Sequence, residues 1–139
     1  MDSILTKTDY ELLAALRKCL RESLRVSEEG ARSAGLTPQQ HHVLIIIMGQ
    51  PGRDWASIAE IASSLHLRHH TVVGLIDRSV NAGLVARQPD PDDRRQVRVV
   101  LTQKGQDLLG KLSPQSAKEL RTLREMIKIE QVSDFIKPR

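Results

Sequence analysis

The sequence predicts a mainly helical fold carrying one small β-hairpin, and three observations predict it. Apolar residues recur at three- and four-residue steps through most of the 139 positions, the period of an amphipathic helix. The start signature Ser/Thr-x-x-Glu/Gln, in which two side chains satisfy each other's backbone donors, stands at Thr8-Glu11, Thr37-Gln40 and Ser57-Glu60. Strand character is confined to two β-branched runs, 84–88 and 96–101, that flank a charged segment. With only 2% aromatic residues, the core must be built from Leu, Ile, Val and Ala, which suits helices packed ridge into groove.

The first helix is expected from Thr8 to about Glu29, before Gly30, with Leu12, Leu13, Leu16, Leu20 and Leu24 as its apolar stripe. Thr37 opens a second helix with Pro38 at its first position, where a missing N–H costs nothing. Its run from Val43 to Met48 is so apolar that burial nearly all round is expected, up to a stop at Gly49. Gln50 to Asp54 reads as a turn, and Ser57 opens a short third helix that ends near Leu65. After only His66-Leu67-Arg68, Val72, Leu75, Ile76 and Val80 mark another amphipathic segment, broken at Asn81-Ala82-Gly83. Two short helices joined by a tight turn form a helix-turn-helix. The two β-branched runs then make a hairpin with Pro89 to Arg95 at its tip, a wing. Thr102 caps a further helix from about Gln103, with Leu108, Leu109, Leu112, Leu120, Leu123 and Ile127 at helical spacing. Pro114 either kinks one long helix or begins another, and a single kinked helix is the expectation.

The architecture expected is therefore α+β: one domain over 1–139, a winged helix-turn-helix over about 36–105, and a helical dimerisation region from 1–30 and 106–139. The leucine stripes of the first and last helices exceed what one small winged domain can bury, which points to a homodimer.

Composition narrows the function. A net charge of +4 suits a polyanionic partner. One cysteine leaves no internal disulfide framework and agrees with a reducing cytoplasm, and the N-terminus shows neither a signal peptide nor a membrane span, so a cytoplasmic protein without membrane partners is expected. No Gly-x-Ser-x-Gly elbow, His-Glu-x-x-His, P-loop or dinucleotide fingerprint is present, so no enzyme activity and no cofactor are expected. His66 with His69 or His70 has helical ligand spacing, but adjacent histidines diverge on a helix and no cysteine or carboxylate cluster completes a shell, so no metal site is expected. Cys19 sits beside Arg17, Lys18 and Arg21, which can activate a thiol, and also beside the apolar stripe, where a structural role outweighs a redox one.

The chemistry that remains is recognition of duplex DNA. In a helix-turn-helix the second helix presents its N-terminal residues to base edges in the major groove. Those residues are Arg68, His69, His70, Thr71, Val73 and Gly74, with Arg78 further along. Arginine can bond guanine bidentately, histidine can reach N7 or phosphate, and valine can touch a thymine methyl. Glycine permits close backbone approach at some cost to the helix. A merely solvated face is the competing reading. The hairpin weighs against it: between His66 and Gly105 seven cations (Arg68, Arg78, Arg87, Arg94, Arg95, Arg98, Lys104) face four anions (Asp77, Asp90, Asp92, Asp93). At the tip, Asp93 is spaced to orient Arg95 toward the minor groove beside Arg94, the alternative being a turn stabilised by its own charges.

These segments resemble the MarR family, the multiple-antibiotic-resistance regulators. Leu36-Thr37-Pro38-Gln39-Gln40 is similar to the family's entry to its second helix, and Ser57-Ile58-Ala59-Glu60-Ile61-Ala62 to its third. Thr71 to Arg78, followed by Gly83-Leu84-Val85, resembles the recognition helix and its exit. Most specific is Asp93 to Gly105, which resembles the wing signature Asp-x-Arg followed by Leu-Thr-x-x-Gly. The likeness covers about half the chain. It departs at Val73, where the family often has Thr or Ser, at His70, where Pro or Ser is usual, and at His41, where an aromatic is common. The resemblance implies a homodimer that reads a pseudo-palindromic operator with two winged helices, commonly as a repressor released by a small ligand. Family members often bind phenolic or other small aromatic anions; His41, Trp55 and the first helix are candidates for such an effector, but packing is the stronger reading of His41 and Trp55, and effector residues stay unassigned.

Overall fold

The computed structural model describes residues 4–127, which form two compact units: 31–112, and the helical segments drawn from 1–30 and from 113 onward. Chain order is α1 (Lys7–Ser33), α2 (Pro38–Met48), β1 (Trp55–Ser57), α3 (Ile58–Leu65), α4 (His69–Asn81), β2 (Val85–Pro89), β3 (Val97–Leu101), α5 (Gln103–Lys111) and α6 (Ser113–Ile127). A mainly helical fold with a small wing is what the sequence predicts, and it is what forms.

In the unit spanning 31–112, the expected capping boxes close at two helices. Thr37 Oγ1 accepts from Gln40 N at 3.1 Å while Thr37 N donates to the Gln40 side chain at 3.0 Å. Ser57 and Glu60 repeat the exchange at 3.1 and 3.3 Å. The core gathers Val43, Leu44 and Ile47 of α2, Ile61 of α3, Val72 and Ile76 of α4, and Ala56 and Val99 of the sheet. Burial of α2 is less complete than its composition suggested, because Ile45 and Met48 lie 40% and 45% exposed. An eleven-residue helix has a far side, however apolar its sequence.

The sheet has three strands rather than two, in the order β1-β3-β2, both pairings antiparallel. Trp55 faces Val100 and Ser57 faces Arg98, while Val85 to Pro89 pairs with Leu101 to Val97. β1 escaped the sequence because three residues show no readable alternation.

Three helices end in the same device. Leu36 N donates to Ala31 O at 2.9 Å and Gly35 N to Arg32 O at 3.0 Å, a Schellman motif with Gly35 at φ 81°. Comparable pairs close α3 at His66 (φ 53°) and α4 at Gly83 (φ 75°). α1 thus runs past Gly30 to Ser33 and is closed by the turn at Gly35, correcting the expected boundary at Glu29. Gly30 serves elsewhere: in the helical unit a Cβ there would collide with the Gln115 side chain. The start of α1 also moves, since the reciprocal bonds join Thr6 and Asp9 (2.9 and 3.2 Å) rather than Thr8 and Glu11.

α5 is capped by Thr102 Oγ1, which accepts from Gly105 N at 3.1 Å. Thr102 N donates to Leu84 O at 3.0 Å, and Lys104 Nζ to Ala82 O at 2.8 Å. This draws the first turn of α5 so close to Leu84 that a Cβ at Gly105 would overlap the Leu84 carbonyl oxygen. The spacing Leu-Thr-x-x-Gly therefore encodes a cap and a backbone contact.

The expected single kinked helix is two helices, separated at Leu112. Pro114 falls in the first turn of α6, where an amide would have no intrahelical acceptor. In the helical unit, Leu13, Leu16, Leu20 and Leu24 of α1 and Leu120 and Leu123 of α6 are all exposed. No helix among the described residues is long and apolar enough to cross a membrane. The apolar tail positions Val132, Phe135 and Ile136 lie outside the described residues.

Candidate nucleic-acid interface

α4 buries Val72, Leu75, Ile76 and Ser79 and turns the opposite face outward. His69, His70, Thr71, Asp77, Arg78 and Asn81 are exposed, and Val73 and Gly74 are half-buried. Arg68 is the N-cap residue rather than part of the helix, and it supplies no side-chain cap. The positive end of the helix dipole therefore lies beside the exposed Arg68, His69 and His70. Arg78 folds back along the helix, and a Cβ built on Gly74 would lie 3.4 Å from its Nη1. Asp77, the acid on this face, is paired with Arg87 of β2 at 2.5 Å.

The wing turn is organised by two aspartates. Asp90 is buried, and its Oδ1 accepts from Asp92 N at 2.8 Å, from Asp93 N at 3.2 Å and from the Arg98 guanidinium at 3.4 Å. The Asp92 amide, then the Asp93 amide and Arg98, hold the Asp90 carboxyl below its ordinary range, against the opposing effect of burial. At the tip, Asp93 Oδ1 accepts from Arg95 N at 3.0 Å and from Arg95 Nε at 3.3 Å. Arg95 is tethered at its root while 92% of its side chain stays exposed, and Arg94 beside it is also exposed.

Next to the wing, half-buried Trp55 contacts two guanidiniums, with the Arg53 and Arg98 carbons 4.0 and 4.1 Å from the ring centroid. Arg53 precedes it by two residues in the chain, and the pairing of Arg98 with Ser57 brings the second cation from the neighbouring strand. Arg53 also pairs with Glu60. Burial pushes the Glu60 carboxyl up, but bonds from Arg53 and from the Ser57 hydroxyl and amide outweigh it, leaving it below the ordinary range.

The structure redistributes the charge counted along the chain. Arg87 and Arg98 turn to Asp77, Asp90 and Asp92, and Lys104 to a helix end, whereas Arg68, Arg78, Arg94 and Arg95 stay at the surface. Arg53 and Arg98 as partners of Trp55 were missed. The alternation of Arg53 and Trp55 was a signal; nothing in sequence brings Arg98 to the ring. Among the other candidates, His41 is buried in α2 and His66 is exposed at the end of α3. Cys19 is half-buried and, within the helical unit, lines a cavity of about 180 Å³ with Ser23, Val26, Gln115 and Lys118. Among the described residues no cluster of three or more His, Cys, Asp or Glu is placed to hold a metal.

Comparison with known proteins matches residues 34–96 to the MarR family model. An HTH-type transcriptional regulator, TtmR of Methylorubrum extorquens, is 39% identical over 77 residues; the match takes in 55% of this chain but only 38% of that protein. Among solved structures, the MarR-family transcriptional regulator AbsC of Streptomyces coelicolor superposes with a TM-score of 0.71 at 22% identity, over 96% of this chain and 90% of that one. BpsR of Bordetella bronchiseptica, whose DNA binding is regulated by 6-hydroxynicotinic acid, superposes at 0.58 and 26% identity, over 78% and 76% of the two chains.

Proposed function

We propose that the chain belongs to the MarR family and is a sequence-specific transcriptional regulator that binds a pseudo-palindromic operator as a homodimer. The observation that carries the proposal is the pairing, on one compact unit, of an exposed recognition face with a tethered, exposed wing arginine. α4 enters the major groove. Arg68 bonds guanine, His69, His70 and Thr71 reach base edges or phosphate, Val73 meets a thymine methyl, and Gly74 lets Arg78 lie flat against the helix. Arg95, aimed by Asp93, enters the minor groove, where a narrow A·T-rich stretch concentrates negative potential, and Arg94 takes the flanking phosphate. The exposed leucines of α1 and α6 join two protomers. The complex works in the cytoplasm as a repressor and performs no catalytic step.

A small aromatic anion releases the repressor in this reading, as the regulation of BpsR by 6-hydroxynicotinic acid suggests. Selection of genomic fragments by the purified protein, followed by footprinting, tests the proposal. Two protected half-sites about one helical turn apart are expected, with affinity falling steeply as salt rises. Binding that is indifferent to salt and sequence refutes it.

A further inference from the structure

We propose that Trp55 is a positioning residue for the wing: in contact with both Arg53 and Arg98, it ties the hairpin tip that carries Arg95 to the N-terminus of α3. The inference rests on the reading of the wing as a DNA probe. It follows an unbroken chain of contacts. Glu60, which closes the capping box of α3 with Ser57, pairs with Arg53. The Arg53 and Arg98 guanidiniums both lie over the Trp55 ring, 4.0 and 4.1 Å from its centroid. Arg98 reaches Asp90 at 3.4 Å and Asp92 at 3.5 Å. Asp90 gathers the amides of Asp92 and Asp93, and Asp93 holds Arg95.

Each cation in the stack has its own carboxylate, so the two guanidiniums share one ring without an uncompensated charge between them. The Nε of Arg98 is buried and makes no hydrogen bond, which leaves the ring face and the two aspartates to fix the direction of its guanidinium. Without the ring, Arg98 can swing and Asp90 loses the cation that holds it over the turn. Beyond the strand ladder, the hairpin end is closed by Asp90 N to Gln96 O at 3.3 Å and Gln96 N to Asp93 O at 3.1 Å. The predicted consequence is that wing and helix-turn-helix meet DNA as one body, with the minor-groove arginine kept in register with α4.

Hydrogen exchange on the free protein tests this together with DNA affinity. Trp55→Leu is expected to accelerate exchange of the 90–96 amides about tenfold while the α4 amides of Leu75, Ile76 and Ser79 keep their protection. DNA affinity should fall by the factor that Arg95→Ala causes, and the double variant should fall no further. Trp55→Phe, which keeps a ring for the cations to contact, should restore both. Unchanged exchange at 90–96 overturns the proposal, and so does equal acceleration in α4, which would make Trp55 a general structural residue. If Trp55→Leu does not fold, Arg53→Gln removes one of the two ring contacts, and undisturbed 90–96 amides in that variant overturn the proposal as well. Faster wing exchange with undiminished DNA affinity would uphold the positioning role and refute the wing as a DNA probe.

Discussion

Replacing Gly74 with alanine should raise the stability of the protein while weakening its hold on DNA. Gly74 lies in the middle of α4, and its φ is not among the positive values that favour glycine, so alanine fits its backbone without strain. The neighbour a new Cβ would meet is Arg78 Nη1, at 3.4 Å, the movable end of a long side chain. Glycine inside a helix costs about 0.5–1 kcal/mol relative to alanine, and nothing at this position offsets that gain. For a unit of this size the midpoint of thermal unfolding should rise by about 2–8 °C. On DNA the sign reverses. If α4 meets the bases as proposed, the methyl adds bulk between helix and groove beside Arg78, so the variant should lose about one good base contact, roughly 1–3 kcal/mol or 5- to 150-fold in affinity. Circular dichroism melting and fluorescence anisotropy with an operator fragment measure the two effects. A lowered midpoint would mean that the space around Gly74 is already occupied. An unchanged affinity would mean that this face does not meet the bases.

Arg95→Ala should weaken operator binding roughly tenfold, the scale of one charge-assisted contact, and leave the melting midpoint in place because the side chain is 92% exposed. Gly105→Ala should destabilise the fold by about 1–3 kcal/mol or more in urea titration, since its Cβ overlaps the Leu84 carbonyl; wild-type stability would refute the corner described above. Leu20→Glu should give a monomer in sedimentation, and a persistent dimer would place the interface elsewhere. Asp90 and Glu60 both sit below their ordinary range in the folded state, so the stability they lend is present above about pH 4 and is lost as pH falls through their folded values. Emission of the single tryptophan, Trp55, should be flat from pH 7 to about 4 and change only below, whereas a transition near neutrality would contradict the assignment.

What could be read from the sequence were features written in neighbouring residues. Capping boxes at Thr37 and Ser57 need only four consecutive positions, and the Asp93-x-Arg95 tether needs three. Features that depend on packing were hidden. Gly30 looked like a helix stop, yet its neighbour is Gln115, far along the chain, and the stop is Gly35, whose turn buries Leu36 with Ala31. Arg98 looked like one more wing cation, because only the register of β3 against β1 brings it to Trp55. The three residues of β1 carry no pattern until a partner strand reveals it. Pro114 allowed two readings because a proline tolerated in a first turn and one that kinks an interior differ only in where the chain before it stops.

The strand order has a consequence for how the winged unit assembles. β3 lies between β1 and β2, and pairing Trp55 with Val100 closes a loop of chain that contains both helices of the helix-turn-helix. Those helices of 8 and 13 residues are too short to hold their shape in water alone. They become ordered when the loop is cinched, so the helix-turn-helix and the sheet are expected to form in a single cooperative step. A fragment ending before Val97 should remain unfolded, and a chain emerging during synthesis should gain no affinity for DNA until β3 has arrived to lock the knot of contacts from the middle.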